Sequence, residues 1–294
     1  MLKYKKIGVT VKVNLEAKDE TVERILDTLQ HCDAQIFLDA GSAGGLSCAK
    51  HFPQLKIDQD IDLLLVIGGD GTILRAVREM GNCAPILSVN KGAVGFLAET
   101  QVEEVEEMLP KLLAGEGIIE ERSMLRVSME RNDQEDFSGL ALNEVVVAQG
   151  AISRLLDLRA TISGELLTTY HADGIIVSTP TGSTAYSLAA GGPIVHPRLL
   201  AFIVTPINPH SFSQRPLVIP AESKVDVDVL RKPGQHVQSE VGLTLDGQVY
   251  HPLTQGDRVR VQRHTDTVKF LRRAQDSFYA TIRSKLRWGE GLRD

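Results

Sequence analysis

Gly68-Gly69-Asp70-Gly71-Thr72 sets one carboxylate among three glycines and a hydroxyl. It follows Asp62-Leu63-Leu64-Leu65-Val66-Ile67, an apolar run that reads as a strand buried on both faces. It precedes Ile73, Leu74 and Val77 at helical spacing, with Gly81 as a helix stop. A glycine-rich turn from strand to helix exposes backbone N–H groups at the positive end of a helix, and such groups hold phosphate. A carboxylate in their midst repels bare phosphate, so Asp70 must meet a metal ion, a hydroxyl or both. A phosphate cradle with a carboxylate that can take a hydroxyl proton or hold magnesium describes phosphoryl transfer. Asp-Gly as a plain tight turn is the bland alternative. The strand and helix flanks favour chemistry.

Two further stretches carry polar groups that suit a ligand. Asp173-Gly174 runs through Ile175-Ile176-Val177 into Ser178-Thr179-Pro180-Thr181-Gly182-Ser183-Thr184-Ala185-Tyr186-Ser187 and on to Gly191-Gly192-Pro193. Small residues let a ligand approach the backbone there, and the hydroxyls can bond ribose or phosphate oxygens. A Ser/Thr-rich surface loop is the alternative, but Tyr186, Leu188 and the glycine pair suit a packed element better. Asn143-Glu144, just before Val145-Val146-Val147, offers a donor, acceptors and a carboxylate for paired hydroxyls. As a dipeptide it reads equally well as a turn.

The elements that position these groups fall into two textures. Ile7–Val11, Ala34–Leu38, the 62–67 run and Pro85–Val89 read as strands alternating with helices. Val22, Ile25, Leu26 and Leu29 mark one helix, and Val102, Val105, Met108, Leu109, Leu112 and Leu113 another. That alternation implies a Rossmann-like parallel α/β domain. From about Leu125 the period becomes two, as in Leu156, Leu158, Ala160 and Ile162, with turns at Arg131-Asn132-Asp133 and Asp246-Gly247. This predicts an antiparallel β-sandwich domain with one face of each strand wet. Phe278, Ile282 and Leu286 predict a C-terminal helix returning to the first domain. The expected division is 1–122, with 269–294 packing back on it, and 123–268.

Composition excludes several classes. The 294 residues suffice for two cores, and the net charge of −6 with no basic stripe argues against nucleic acid. Cys32, Cys48 and Cys83 are odd in number and lack a CxxC pair, which suits free thiols in a reducing cytoplasm. No apolar run approaches the ~20 residues that span a bilayer. Neither G-x-G-x-x-G nor a P-loop pattern is present, and no zinc spacing occurs.

Gly68–Thr72, Asn90-Lys91-Gly92 with Gly95-Phe96-Leu97, Asn143-Glu144 and Asp173 through Pro193 together resemble the NAD kinase family, specifically its bacterial members. The resemblance covers nearly the whole chain in order and spacing. The GGDGT element is shared with 6-phosphofructokinases and diacylglycerol-type lipid kinases, whereas the long TPTGSTAYS segment is more specific. The resemblance implies transfer of the terminal phosphoryl group of ATP, or of polyphosphate, to the 2′-hydroxyl of the adenosine ribose of NAD. It makes Asp70 the general base, with Gly71 beside it at the dinucleotide. Gly68, Gly69, Gly71 and Thr72 would serve the ATP phosphates, with Mg²⁺ or another divalent cation held mainly by those phosphates. Asn143 and Glu144 would contact the adenosine half. Asp173, Thr184, Ala185, Tyr186, Ser187, Leu188 and Ala189 would line the rest of the NAD site, with Gln248 nearby.

Arg75, Arg154 and His171 fall where family members place polar or basic NAD-binding side chains. Arg75 reads as well as a plain surface arginine, and Arg154 as a lone basic residue near a strand start. His171 bears on the choice between NAD and NADH, with an exposed histidine before a turn as the alternative. The resemblance also implies a homodimer or homotetramer built through the β-rich domain, acting in the cytoplasm on small molecules, without nucleic acid or membrane. A sugar or lipid kinase sharing GGDG, or a dinucleotide sensor without turnover, would be the rivals. The absence of a basic amphipathic helix weakens the lipid version, and a sensor gains nothing from a carboxylate beside phosphate.

Overall fold

Unbroken apolar runs make the strands of the first unit, because a parallel sheet covered by helices is buried on both faces. The computed structural model describes residues 2–15, 18–57, 59–80, 84–91, 95–98, 100–150, 155–230, 240–274 and 276–288. Gly81, Cys83, Gly92 and Arg154 lie outside the described residues. The chain divides into an α/β unit, Met1–Glu121 with Val268–Asp294, and a β unit, Arg122–Thr267.

In the α/β unit the order is β1 (Lys6–Val11), α1 (Lys18–His31), β2 (Gln35–Leu38), β3 (Leu63–Ile67), α2 (Asp70–Met80), β4 (Ile86–Asn90), β5 (Thr100–Gln101) and α3 (Val105–Ala114). The strands run parallel in the spatial order β2-β1-β3-β4. Ile7, Val9, Val11, Leu63, Leu65 and Ile67 pack against the apolar faces of α1 and α3 in one core. The chain passes from β2 across β1 to reach β3, so the sheet changes direction between the carboxyl ends of β1 and β3. In open α/β sheets that crossing point is where ligands sit. Asp70 opens the helix that leaves it.

The β unit holds the longer run of strands: β6 (Ile118–Arg131), β7 (Gln134–Ala141), β8 (Glu144–Gln149), β9 (Leu156–Ile162), β10 (Glu165–Ala172) and β11 (Gly174–Ser178). After the short helix α4 (Tyr186–Ala189) come β12 (Ala201–Ile207), β13 (Leu217–Pro220), β14 (Val225–Val229), β15 (Val241–Leu245), β16 (Val249–Leu253) and β17 (Arg258–Arg272). β10-β9-β14-β17 with β6 and β7 forms one sheet, and β13-β12-β11-β8-β15-β16 the other. Their facing residues, among them Val127, Leu158, Val227 and Val259 against Val145, Ile175, Phe202 and Leu243, make a single sandwich core. β17 continues into the α/β unit, where Phe270 is in register with Ile86, and α5 (Phe278–Leu286) belongs to that unit.

One sequence expectation differs. β11 is buried at every position and β8 and β12 nearly so, rather than wet on one face. The second face carries Val146, Ile176 and Ile207, against which Ala190 packs, and Thr205, which hydrogen-bonds Ser187 at 3.0 Å. The Ser/Thr-rich segment after β11 therefore covers this face of the sheet.

Candidate functional site

In the α/β unit, Asp70 is positioned by a loop distant in sequence. Its Oδ2 accepts from Phe96 N at 3.0 Å, and its Oδ1 accepts from Leu97 N at 3.2 Å and Ala98 N at 3.0 Å. The Gly95-Phe96-Leu97 stretch thus presents successive amides to one carboxylate. Gly95 is required for the approach, since a Cβ there would fall on Asp70 Oδ1. An ionised carboxyl has about four lone-pair sites. Among the described residues three are filled, and the one left is on Oδ2.

We expect Gly95→Ala to push either the carboxylate or the loop aside and to lower turnover by ~10²-fold, the scale of a misplacement of about 1 Å. Steady-state kinetics on the folded variant checks this. Turnover within about twofold of the parent would mean that the loop does not position Asp70 for the reaction.

Arg75, one turn further along α2, is not a plain surface arginine. Its Nη2 donates to Thr10 Oγ1 at 3.1 Å and to Val11 O at 2.9 Å, tying the helix to the carboxyl end of β1. Thr10 in turn donates to Asp39 Oδ2 at 2.8 Å. The guanidinium thereby braces the floor of the crossing point.

In the β unit, Asn143 and Glu144 are clamped from two sides. Asp246, in the turn between β15 and β16, accepts from Leu142 N at 2.8 Å, Asn143 N at 2.8 Å and Glu144 N at 3.1 Å. Thr179 takes the carbonyls: its N–H donates to Asn143 O at 2.9 Å and its Oγ1 to Leu142 O at 2.6 Å. Gly182 packs so closely that a Cβ would meet Asn143 O. With the backbone engaged on both sides, the two side chains remain for other work. Glu144 is 5 % exposed, and its Oε2 is buried with no hydrogen-bond partner. Burial first, and the Asp246 charge second, push its carboxyl up to about 7 against the pull of the Tyr186 N–H. Ser178, in register with Glu144 on β11, likewise has a buried Oγ without a partner.

Hydroxyls of the 179–187 segment are engaged inside the protein. Thr181 accepts from Arg122 Nη1 at 3.3 Å, Ser183 donates to Pro180 O at 2.6 Å and accepts from Val195 N at 3.0 Å, and Thr184 donates to Thr181 O at 3.2 Å. Their work is to fold a loop with few side chains of its own to hold it. At the far end of the same sheet, Asp173 accepts from Asn208 Nδ2 at 2.9 Å. His171, largely exposed on β10, pairs through Nδ1 with Asp157. Ala185 precedes α4, with Tyr186 about half exposed, Leu188 half-buried and Ala189 exposed; Gln248 is exposed in the hairpin after Asp246-Gly247.

Asp246 is the residue of this arrangement that sequence reasoning missed. Asp-Gly between alternating strands signals a hairpin, and nothing local says that its carboxylate reaches amides about a hundred residues earlier in the chain.

An α/β unit presenting a carboxylate at a helix start, followed by a β-sandwich with a clamped Asn-Glu pair, defines a two-domain phosphotransferase of the GGDGT type. The model for the ATP-NAD kinase N-terminal domain matches residues 7–117, and that for the ATP-NAD kinase C-terminal domain matches residues 142–273. The chain belongs to the NAD kinase family and is an NAD kinase by activity. It is 37 % identical to the NAD kinase of Geotalea daltonii over 97 % of this chain and 99 % of that one. With the NAD kinase of Geobacter sulfurreducens it shares 45 % identity over 78 % of this chain and 79 % of the other. Among solved structures it resembles yeast NADH kinase complexed with NADH (TM-score 0.88, 27 % identity, 98 % of this chain and 89 % of that chain). An NAD kinase from Archaeoglobus fulgidus in complex with ATP matches with TM-score 0.75 and 27 % identity over 96 % of this chain and 98 % of the other.

Proposed function

We propose that the enzyme transfers the terminal phosphoryl group of ATP to the 2′-hydroxyl of the adenosine ribose of NAD, giving NADP and ADP. Asp70 Oδ2 takes the hydroxyl proton as the ribose oxygen bonds to the γ-phosphorus and the bond to ADP breaks. Such transfers have a loose transition state, so positioning matters more than full deprotonation. Gly68, Gly69, Gly71 and Thr72, at the start of α2, serve the phosphates. Asn143 and Glu144 contact the adenosine half, and Asp173 with the 184–189 stretch lines the remainder, with Gln248 beside them.

The observation that carries this reading is the Asp70 carboxylate, held at the head of α2 by amides from residues 96–98 with one site on Oδ2 left open among the described residues. Mg²⁺ would be held mainly by the substrate phosphates and water, which that ion prefers to keep, leaving Asp70 Oδ2 to the hydroxyl; no cluster of three acidic, His or Cys side chains occurs among the described residues. When bound, the ion neutralises phosphate charge.

The reading places the enzyme in a reducing cytoplasm, where Cys32 and Cys48 stay thiols, and as a homodimer or homotetramer joined through the β unit. Incubation with Mg²⁺, NAD or NADH, and either ATP or polyphosphate tests it, with NADP(H) formation as the readout. ATP with NAD is expected to give NADP. Silence with every dinucleotide, alongside phosphorylation of a sugar phosphate, would overturn it.

A further inference from the structure

The turn between β15 and β16 places a charge where only a hairpin was expected. Asp246 and Gly247 adopt φ of 51° and 65°, the left-handed pair that a two-residue hairpin needs. Asparagine or glycine would satisfy that turn equally well. A carboxylate is needed instead by the segment before β8, whose successive amides at Leu142, Asn143 and Glu144 all point at it. Three N–H donors converging on one acceptor group favour an anion over any neutral side chain.

We propose that Asp246 is a positioning residue for the dinucleotide, fixing the Asn143–Glu144 pair in the geometry that binds it; this rests on the reading of that pair given above. Thr179 holds the opposite edge of the same dipeptide through its carbonyls. Asp246 also acts on Glu144 through its charge. The groups facing Glu144 are Asp246 from the β15–β16 turn, the Tyr186 N–H from α4 and the neutral Ser178 from β11, so Asp246 is the charged neighbour that raises its proton affinity. Burial first, with this charge second, brings the ionisation of Glu144 near neutral pH.

The test compares full-length parent, Asp246→Asn and Glu144→Gln enzymes. For Asp246→Asn, the KM for NAD is expected to rise by ~10-fold or more, with kcat and the KM for ATP changing by less than about threefold. The rise of kcat/KM for NAD with pH should also move to lower pH, which a purely structural defect would not produce. An unchanged KM for NAD and an unmoved pH profile in Asp246→Asn, while Glu144→Gln raises that KM, would overturn the proposal alone. An unchanged KM in Glu144→Gln would overturn the reading of the Asn143–Glu144 pair, and the proposal with it. If Asp246→Asn does not fold, Asp246→Ser decides in its place, and failure of both to fold makes the role structural and overturns the proposal.

Discussion

Asp70→Asn is expected to lower turnover by ~10²–10⁴-fold, the usual contribution of a positioned general base, while the KM for NAD moves by less than about threefold. The two carboxylate oxygens decide this outcome. Leu97 N and Ala98 N occupy Oδ1, and Phe96 N occupies one site on Oδ2. Asparagine has nearly the same shape, and with its oxygen at the Oδ1 position it keeps two of these bonds. Its NH₂ then stands at the Oδ2 position, where it opposes the Phe96 N–H and cannot accept a proton. The lost and opposed bonds cost about 1–3 kcal/mol of stability, visible as a lower melting temperature. That cost is separable from the chemistry, because single-turnover rates at saturating substrates and well below melting report only on the folded variant. Near-normal turnover under those conditions would mean that Asp70 is neither base nor metal organiser.

Much of this fold was legible because local patterns and tertiary context agree. The apolar run before Gly68 became β3, buried at all positions, and the spacing of Ile73, Leu74 and Val77 became α2. The alternation of Leu156, Leu158 and Ala160 became β9 with those residues in the sandwich core. The expected wet face failed at β8, β11 and β12, where the covering layer is supplied by a segment whose hydroxyl-rich composition looks like surface.

The same cause hid the working details of the site. Which amides reach Asp70, which carbonyls take Thr179 and which amides take Asp246 depend on contacts between residues 26 to 104 positions apart. Residue type announced that Asp70, Asn143 and Glu144 could do chemistry. It could not say that Arg75 binds the end of β1, or that Ser183 and Thr184 bind backbone carbonyls of their own loop. A hydroxyl is an equally good partner for a ribose and for a carbonyl, and only the fold decides which is within reach.

Glu144→Gln is expected to make the protein more stable at alkaline pH and a poorer enzyme. The Glu144 carboxyl is buried, has an oxygen without a partner, and sits at about 7 instead of 4.5. The folded protein therefore holds this proton more tightly than the unfolded chain does. The stabilisation is fully present below pH 4.5 and is lost as pH rises through about 7. By pH 8 the loss amounts to about 3 kcal/mol. Glutamine cannot ionise, so its stability lacks this decline, offset by about 1–2 kcal/mol for a buried amide group of its own left unpaired. Urea unfolding at pH 5, 6, 7 and 8 should show the variant's advantage growing with pH at constant m-value. Over the same range the parent's kcat/KM for NAD should climb through pH 7 while the variant's stays flat and lower by ~10–100-fold, the worth of a hydrogen bond to a charged acceptor. Unfolding curves that shift with pH identically in both proteins would show that Glu144 ionises as an ordinary surface carboxylate. If the partner missing from Glu144 arrives with the substrate, as proposed, removing this buried carboxyl exchanges binding for stability.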